Sequence, residues 1–141
     1  MGYIKAIELK DFDDQIECLE SIFSSLVDSL EEAKLEELKE AVYMREDTVS
    51  TYLEDNLAVP HGRVEGLDDD YIIVGINRGA GIDWPSSDKK AKAIVLIGID
   101  KSKISRYLFI LQKLIKWYKA NNSDLTQLSL VEIENELNGL I

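Results

Sequence analysis

The chain has 141 residues, of which 45% are hydrophobic, and a formal net charge of −11. This length predicts a single domain over residues 1–141 that can bury a core. The negative charge argues against a nucleic-acid partner, because binding a phosphate backbone requires clustered Lys and Arg, and it disfavours anionic membrane surfaces. It is compatible with a basic partner protein, and equally with a role in solubility alone.

The sequence predicts neither export nor membrane insertion. No apolar run approaches the ~20 residues that a membrane-spanning helix requires. Residues 1–8 lack the apolar region of a signal peptide. The single cysteine, Cys18, cannot form an internal disulfide. We therefore expect a cytoplasmic protein with no direct membrane insertion.

The first part of the chain is predicted to be mostly helical. A short strand is expected over 6–9, and the apolar side chains of 16–30 then recur every three or four residues, as in a helix. A second helix is expected to begin after Ser29, with Glu32 completing a capping box. Residues 45–51 lose this periodicity and are interpreted as a loop or a helix end.

The rest of the chain contains predicted strands followed by helices. Strands are expected over 57–59, 71–76 and 93–99, and helices over 103–119 and 128–140. The last strand is apolar enough to be covered on both faces. The last helix has a capping-box sequence at Ser129 and Glu132. This order of elements predicts one layered α/β domain in which helices cover a sheet.

Most metal and cofactor chemistry is poorly supported by the sequence. A zinc site requires three or four matched ligands, whereas the chain has one histidine and one cysteine. Residues 68–70 lack the ligand spacing of a calcium loop, and Gly79-x-Gly81 is too short for a phosphate-binding loop. We therefore predict no metal and no cofactor. A Ser-His-Asp hydrolase stays open, although no nucleophile-elbow motif is present.

His61 is the only histidine and directly follows Pro60. Imidazole is a nucleophile towards phosphorus, and a phosphohistidine can pass its phosphoryl group onward. Arg45 has a planar group that matches phosphate, and Ser50 and Thr51 offer hydroxyl donors. Together these residues predict a phosphoryl-transfer site that needs no nucleotide. The alternatives are an incidental histidine and an Arg45 that pairs with a nearby carboxylate.

A family resemblance is carried by two short motifs at a fixed interval. They are Arg45-Glu46-Asp47-x-x-Ser50-Thr51 and Ala58-Val59-Pro60-His61. These motifs resemble those of the IIA domains of the sugar phosphotransferase system, in the mannitol/fructose class that includes the nitrogen-regulatory IIA proteins. Further similar positions are Gly66-Leu67, Gly81-Ile82-Asp83-Trp84 and Asp88. The resemblance covers residues 10–120.

The resemblance implies a mixed central sheet flanked by helices on both faces. It implies that His61 accepts a phosphoryl group from the histidine-containing phosphocarrier protein and passes it to a IIB domain of a permease, with Arg45, Ser50 and Thr51 at the site. The chain would then be a phosphotransferase component of a sugar-transport system. Neither the sugar nor the oligomeric state, a homodimer included, follows from the sequence.

Two departures from the family pattern affect this interpretation. Glu54 and Asn56 stand where the family usually has glycines. Tyr107 stands where the family has a second histidine, and a phenol can donate one hydrogen bond but cannot supply an imidazolium charge. The alternative function is therefore a regulatory, nitrogen-type IIA-like protein that acts by protein–protein binding, with weak or no phosphoryl transfer. A purely structural domain is a third alternative.

Overall fold

The computed structural model describes residues 2–85 and 88–141. Its strands are β1 (Gly2–Glu8), β2 (Leu57–Ala58), β3 (His61–Val64), β4 (Asp70–Ile76), β5 (Ile82–Asp83), β6 (Lys90–Ala91) and β7 (Ala93–Asp100). Its helices are α1 (Gln15–Ser24), α2 (Glu32–Thr48), α3 (Ile104–Ala120) and α4 (Leu130–Leu140). None of these four helices is long and apolar enough to cross a membrane.

The central sheet is mixed, and β7 lies in its interior. On one side β4 pairs antiparallel with β7, and β1 pairs parallel with β4. On the other side both β2 and β3 pair parallel with β7. They keep one register, with Leu57 opposite Ala93 and His61 opposite Ile97. β2 and β3 are therefore one interrupted strand, and the interruption at Pro60 comes directly before His61.

Helices cover both faces of this sheet, as predicted. Along β4 and β7 the side chains alternate between two hydrophobic clusters. Ile73 and Leu96 pack with α1 and α2, whereas Ile72 and Ile97 pack with α3 and α4. Both strands are almost fully buried, which explains their continuous apolar sequences. The predicted fold class, a mixed central sheet flanked by helices on both faces, is confirmed.

The end of the first predicted helix was wrong. After α1, consecutive turns run over residues 25–30, and they still bury Leu26 and Leu30. The apolar spacing continued past the helix because these turns also face the core. The capping box predicted at Ser29 is absent, since Glu31 is the N-cap of α2 and its side chain makes no cap hydrogen bond. The second predicted box, at the start of α4, is confirmed.

The second helix includes the first part of the segment that was interpreted as a loop or a helix end. It ends at Thr48, so Arg45 lies in its last turn and not in a loop. A cation is favourable there because it faces the negative end of the helix dipole. The polar sequence continues the helix because exposed helix positions accept polar side chains.

The turn before β2 contains two residues in the left-handed backbone conformation, and neither is glycine. Asp55 and Asn56 have φ angles of 55° and 68°, which Asp and Asn adopt more readily than most side chains. The Lys92 amide donates to the Asn56 carbonyl at 2.8 Å, which ties this turn to the start of β7. Glu54 forms an ion pair with Lys119 at 3.6 Å. The chain therefore accommodates Glu54 and Asn56 where the family usually has glycines.

Candidate functional site

His61 is positioned by the interrupted edge strand. The Pro60 carbonyl accepts the Ile97 amide at 3.0 Å, so pairing with β7 continues through the proline. Alternation along β3 then turns His61 towards α3 and places Gly62 against α2. A Cβ at Gly62 would lie 2.9 Å from the Ala41 Cβ. Glycine therefore allows α2 to approach the strand that carries His61.

One hydrogen bond defines the chemical state of the His61 ring. Its Nδ1 lies 3.0 Å from the Val59 carbonyl oxygen, which can only accept a hydrogen bond. In the neutral ring Nδ1 therefore carries the proton, and Nε2 keeps its lone pair. Nε2 is the nitrogen that can act as a nucleophile.

The surroundings of His61 favour the neutral imidazole. Burial lowers its pKa from the ordinary value of 6.5, and the positive charges of Arg45 and Arg63 lower it further. The hydrogen bond to Val59 acts in the opposite direction, because it also stabilises the protonated ring. The net lowering of the pKa leaves the ring uncharged, and therefore nucleophilic, at neutral pH.

A cavity of about 400 Å³ opens beside the His61 ring. Its polar lining includes three cations, Arg45, Arg63 and Lys101, and the Tyr107 side chain. No Asp or Glu contributes to this lining in the part of the chain that the structure describes. A protein with a net charge of −11 therefore has a cationic cavity next to its single imidazole. Such a cavity suits an anion that approaches Nε2.

The Arg45 side chain is oriented by its own helix end. Its Nη1 donates to the Val49 carbonyl at 2.5 Å, which leaves further N–H donors of the guanidinium available to a ligand. No carboxylate among residues 2–85 and 88–141 forms an ion pair with Arg45. The alternative role of Arg45, an ion pair with a nearby carboxylate, is therefore not observed.

The structure does not bring Ser50 and Thr51 into this cavity. Thr51 is buried, and its hydroxyl and amide donate to the Glu46 carboxylate at 2.6 and 3.1 Å. The Ser50 hydroxyl accepts the Tyr52 amide at 3.2 Å. Glu46 also accepts the Trp84 indole N–H at 3.0 Å. The Glu46 carboxylate thus fixes the segment after α2. The sequence did not indicate this role, although Glu46 lies within the Arg45 motif.

Tyr107 projects from α3 over the His61 ring. The two ring centroids lie 4.7 Å apart at an interplanar angle of 34°, and the hydroxyl oxygen is 3.3 Å from both Nδ1 and Nε2. The two nitrogens direct their N–H and lone pair in diverging directions within the ring plane, so an oxygen equidistant from both is aligned with neither. Burial raises the pKa of Tyr107, which keeps the phenol neutral. Tyr107 therefore covers the ring without occupying the in-plane Nε2 lone pair.

Two cations of the cavity were not found from the sequence. Arg63 follows His61 by two positions, and strand alternation places the two on the same face, so a signal for it existed. Lys101 comes from the turn after β7, and nothing in its local sequence indicates that it approaches the site. Arg106 instead donates to Asp70 at 2.8 Å and does not line the cavity.

The single histidine allows a direct test of the electrostatics of the site. In an NMR titration we expect His61 to have a pKa below 6.5, because burial and two guanidinium charges disfavour the imidazolium. Arg63→Gln is expected to raise this pKa, since it removes one repelling charge.

Lys10→Gln is the matched control. Lys10 follows β1 beyond the sheet end that contains Ile76, whereas His61 pairs near the other end of β7. We therefore expect Lys10→Gln to leave the pKa of His61 unchanged. A wild-type His61 whose pKa is not below 6.5 contradicts this description. So does an equal change of that pKa in Arg63→Gln and Lys10→Gln.

Comparisons with known proteins identify the same fold. A nitrogen regulatory protein IIA-Ntr from Neisseria meningitidis is 23% identical, with a TM-score of 0.74 over 96% of this chain and 92% of that chain. A complex of enzyme IIAMtl with phosphorylated enzyme IIBMtl from Escherichia coli matches at 19% identity and a TM-score of 0.67, covering 92% of this chain and 90% of that chain. The crystal structure of IIA mannitol from Escherichia coli matches at 21% identity and a TM-score of 0.56, covering 74% of this chain and 75% of that chain.

A family match extends over almost the whole sequence. Residues 4–141 match the family described as phosphoenolpyruvate-dependent sugar phosphotransferase system, EIIA 2. The motifs around Arg45 and His61 lie within the matched region. On this evidence the chain belongs to the EIIA 2 family of the phosphoenolpyruvate-dependent sugar phosphotransferase system.

Proposed function

We propose that this protein is a phosphoryl-carrier IIA component that accepts a phosphoryl group on His61 Nε2 and passes it on. The donor is the histidine-containing phosphocarrier protein and the acceptor is a IIB domain of a sugar permease, with the exchange taking place in the cytoplasm. The observation that carries the proposal is the cationic cavity beside an Nε2 whose lone pair is free. Membership of the EIIA 2 family supports it, and one structural relative is a complex of a IIA enzyme with a phosphorylated IIB enzyme.

In the transfer step, the Nε2 lone pair attacks the phosphorus of the donor's phosphohistidine. A P–N bond forms at His61 while the P–N bond of the donor breaks, and the donor's imidazole leaves with the electron pair. Positive charge develops on the attacking ring of His61, and the Val59 carbonyl stabilises it through Nδ1–H. No proton has to leave His61 in this step. In transfer to the IIB domain, a nucleophile of that domain attacks the phosphorus, the P–N bond at His61 breaks, and Nε2 leaves with the electron pair.

The phosphoryl oxygens are held by the guanidinium groups of Arg45 and Arg63. Both groups line the cavity, and both lie close enough to lower the pKa of His61. Guanidinium N–H donors match the geometry of phosphoryl oxygens and stabilise their charge in the transition state. Ser50 and Thr51 contribute by shaping the segment after α2, because Glu46 already holds the Thr51 hydroxyl.

A labelling experiment tests the proposal. The protein is incubated with labelled phosphoenolpyruvate, enzyme I and the histidine-containing phosphocarrier protein, and acid-labile label on the chain is measured. We expect label on the wild type, none on His61→Ala, and labelling slowed by ~10²–10³ in Arg45→Gln, the usual effect of removing one charge-stabilising donor. Lys10→Gln is the control and is expected to label like the wild type. Label that persists in His61→Ala, or a wild type without label, defeats the proposal.

Regulation by protein–protein binding is the second candidate function, and Tyr107 is the observation that favours it. A neutral phenol over the His61 ring excludes water from one face but adds no positive charge to the phosphoryl site. Onward transfer would then be slow, and the phosphorylated or unphosphorylated protein would act as a signal through a stable partner. The two candidates differ in whether the label leaves His61 rapidly for a IIB domain.

Replacing Tyr107 tests whether this position limits transfer. Tyr107→His supplies a group that can carry charge, and we expect transfer to a IIB domain to rise at least about tenfold, with the ~10²–10³ effect of a single charge-stabilising donor as the upper limit. Tyr107→Phe is the matched control and is expected to change the rate little, because the hydroxyl is not aligned with the Nε2 lone pair of His61. A rate that is unchanged in Tyr107→His would show that position 107 does not limit transfer.

A further inference from the structure

The Glu46 carboxylate joins three parts of the chain. Besides Thr51 and the Trp84 indole, it binds the Gln15 side chain at the start of α1, whose amide donates to it at 3.1 Å. The Thr51 hydroxyl lies within hydrogen-bond distance of both carboxylate oxygens, at 2.6 and 2.9 Å. Hydrogen bonds to an ionised acceptor are stronger than those between neutral groups. Thr51 and Trp84 are also buried, so this cluster is shielded from competing water.

Thr51 connects the carboxylate to the strand that carries His61. While its hydroxyl and amide donate to Glu46, its carbonyl accepts the Val59 amide at 3.1 Å. Val59 is the residue whose own carbonyl holds Nδ1 of His61. The last turn of α2, which contains Glu46, is therefore tied through one buried side chain to the edge strand.

The orientation of Arg45 depends on this tie. Its Nη1 donates to the Val49 carbonyl at 2.5 Å, and the Val49 amide donates to the Arg45 carbonyl at 3.1 Å. Val49 is 59% exposed, and an exposed hydrogen bond opens easily unless its neighbours are held. Thr51 is the buried residue that anchors this segment. The close packing on Gly62 cannot replace the anchor, because the helix residues there, 38–42, all precede Arg45.

Position 46 requires a carboxylate in particular. The Thr51 amide donates to Oε2 and the Trp84 indole donates to Oε1, so both oxygens of Glu46 act as acceptors. A glutamine has one acceptor oxygen and one NH₂ donor. It would leave either the Thr51 amide or the Trp84 N–H facing a donor. The cluster would open although the size of the side chain is unchanged.

We propose that Glu46 is a positioning residue for phosphoryl acceptance, which acts through Thr51 to hold the Arg45 guanidinium beside His61. The inference rests on the proposed function. Glu46 is not among the residues that line the cavity, so its effect on the reaction passes through Arg45. Group transfer is sensitive to such positioning, since a misplacement of about 1 Å can cost on the order of 10² in rate.

The first test is an NMR titration of His61 in Glu46→Gln. We expect the pKa of His61 to rise, as it does when Arg45→Gln removes the repelling guanidinium, because Arg45 is no longer held near the ring. The sign of the change is informative. Loss of a carboxylate charge alone would lower the pKa of a nearby imidazole, so a rise identifies the displacement of Arg45.

The second test is the rate at which the phosphorylated histidine-containing carrier protein labels the chain. Glu46→Gln is expected to slow labelling at least about tenfold. The double variant Arg45→Gln/Glu46→Gln is expected to be no slower than Arg45→Gln, because two substitutions that remove the same interaction do not add.

Two further substitutions separate positioning from loss of stability. Thr51→Val removes the hydroxyl without changing size or charge, and we expect it to raise the pKa of His61 and slow labelling as Glu46→Gln does, whereas Thr51→Ser retains most of the rate. It also provides the test if Glu46→Gln does not fold. Ile133→Val is the matched control, since Ile133 is buried on α4, which covers the opposite edge of the sheet. It is expected to lower the unfolding temperature and to leave both readouts unchanged.

The outcomes separate this inference from the proposed function. A wild type that is labelled, together with a His61 pKa that is unchanged or lowered in Glu46→Gln, overturns the positioning role and leaves the phosphoryl carrier intact. So does a double variant slowed by the product of the two single effects, because Glu46 would then act independently of Arg45. A wild type without any label overturns the proposed function and this inference with it.

Discussion

The chemistry of the site depends on the hydrogen bond from Nδ1–H of His61 to the Val59 carbonyl. Without it, neither ring nitrogen would be committed to carrying the proton, and the nucleophilic atom would not be defined. The bond exists because Pro60 interrupts the edge strand between Val59 and His61 while the pairing with β7 resumes in the same register. The backbone of the sheet therefore determines which nitrogen of the ring keeps its lone pair and can act as the nucleophile.

The second requirement is electrostatic. Burial and two arginines keep the imidazole neutral, so that it can act as a nucleophile, and in the proposed function the same arginines attract the phosphoryl group that it attacks. Arg45 and Arg63 line the cavity beside the ring from different elements, α2 and β3. Tyr107 closes one face of the ring without adding charge. For the function proposed above, this arrangement favours accepting a phosphoryl group over releasing it quickly.

The sequence predicted those parts of the structure that local pattern determines. Continuous apolar runs located β4 and β7, and a capping box located the start of α4. The sequence left Arg45 in either a loop or a helix end, because exposed polar residues leave little periodicity, and the structure places it in a helix end. The site was only partly predictable from the sequence. The position of Lys101 at the cavity and the hydrogen bond from Thr51 to Glu46 depend on tertiary packing. The spacing of Arg63 from His61 was visible in the sequence and was overlooked.

The tautomer of His61 tests the central claim most directly. A long-range proton–nitrogen NMR correlation on the single histidine, recorded above its pKa, distinguishes a protonated from an unprotonated ring nitrogen. The account predicts a protonated Nδ1 and an unprotonated Nε2, with phosphorus coupling appearing on Nε2 after phosphorylation. A neutral ring protonated at Nε2, or a phosphoryl group on Nδ1, would contradict it.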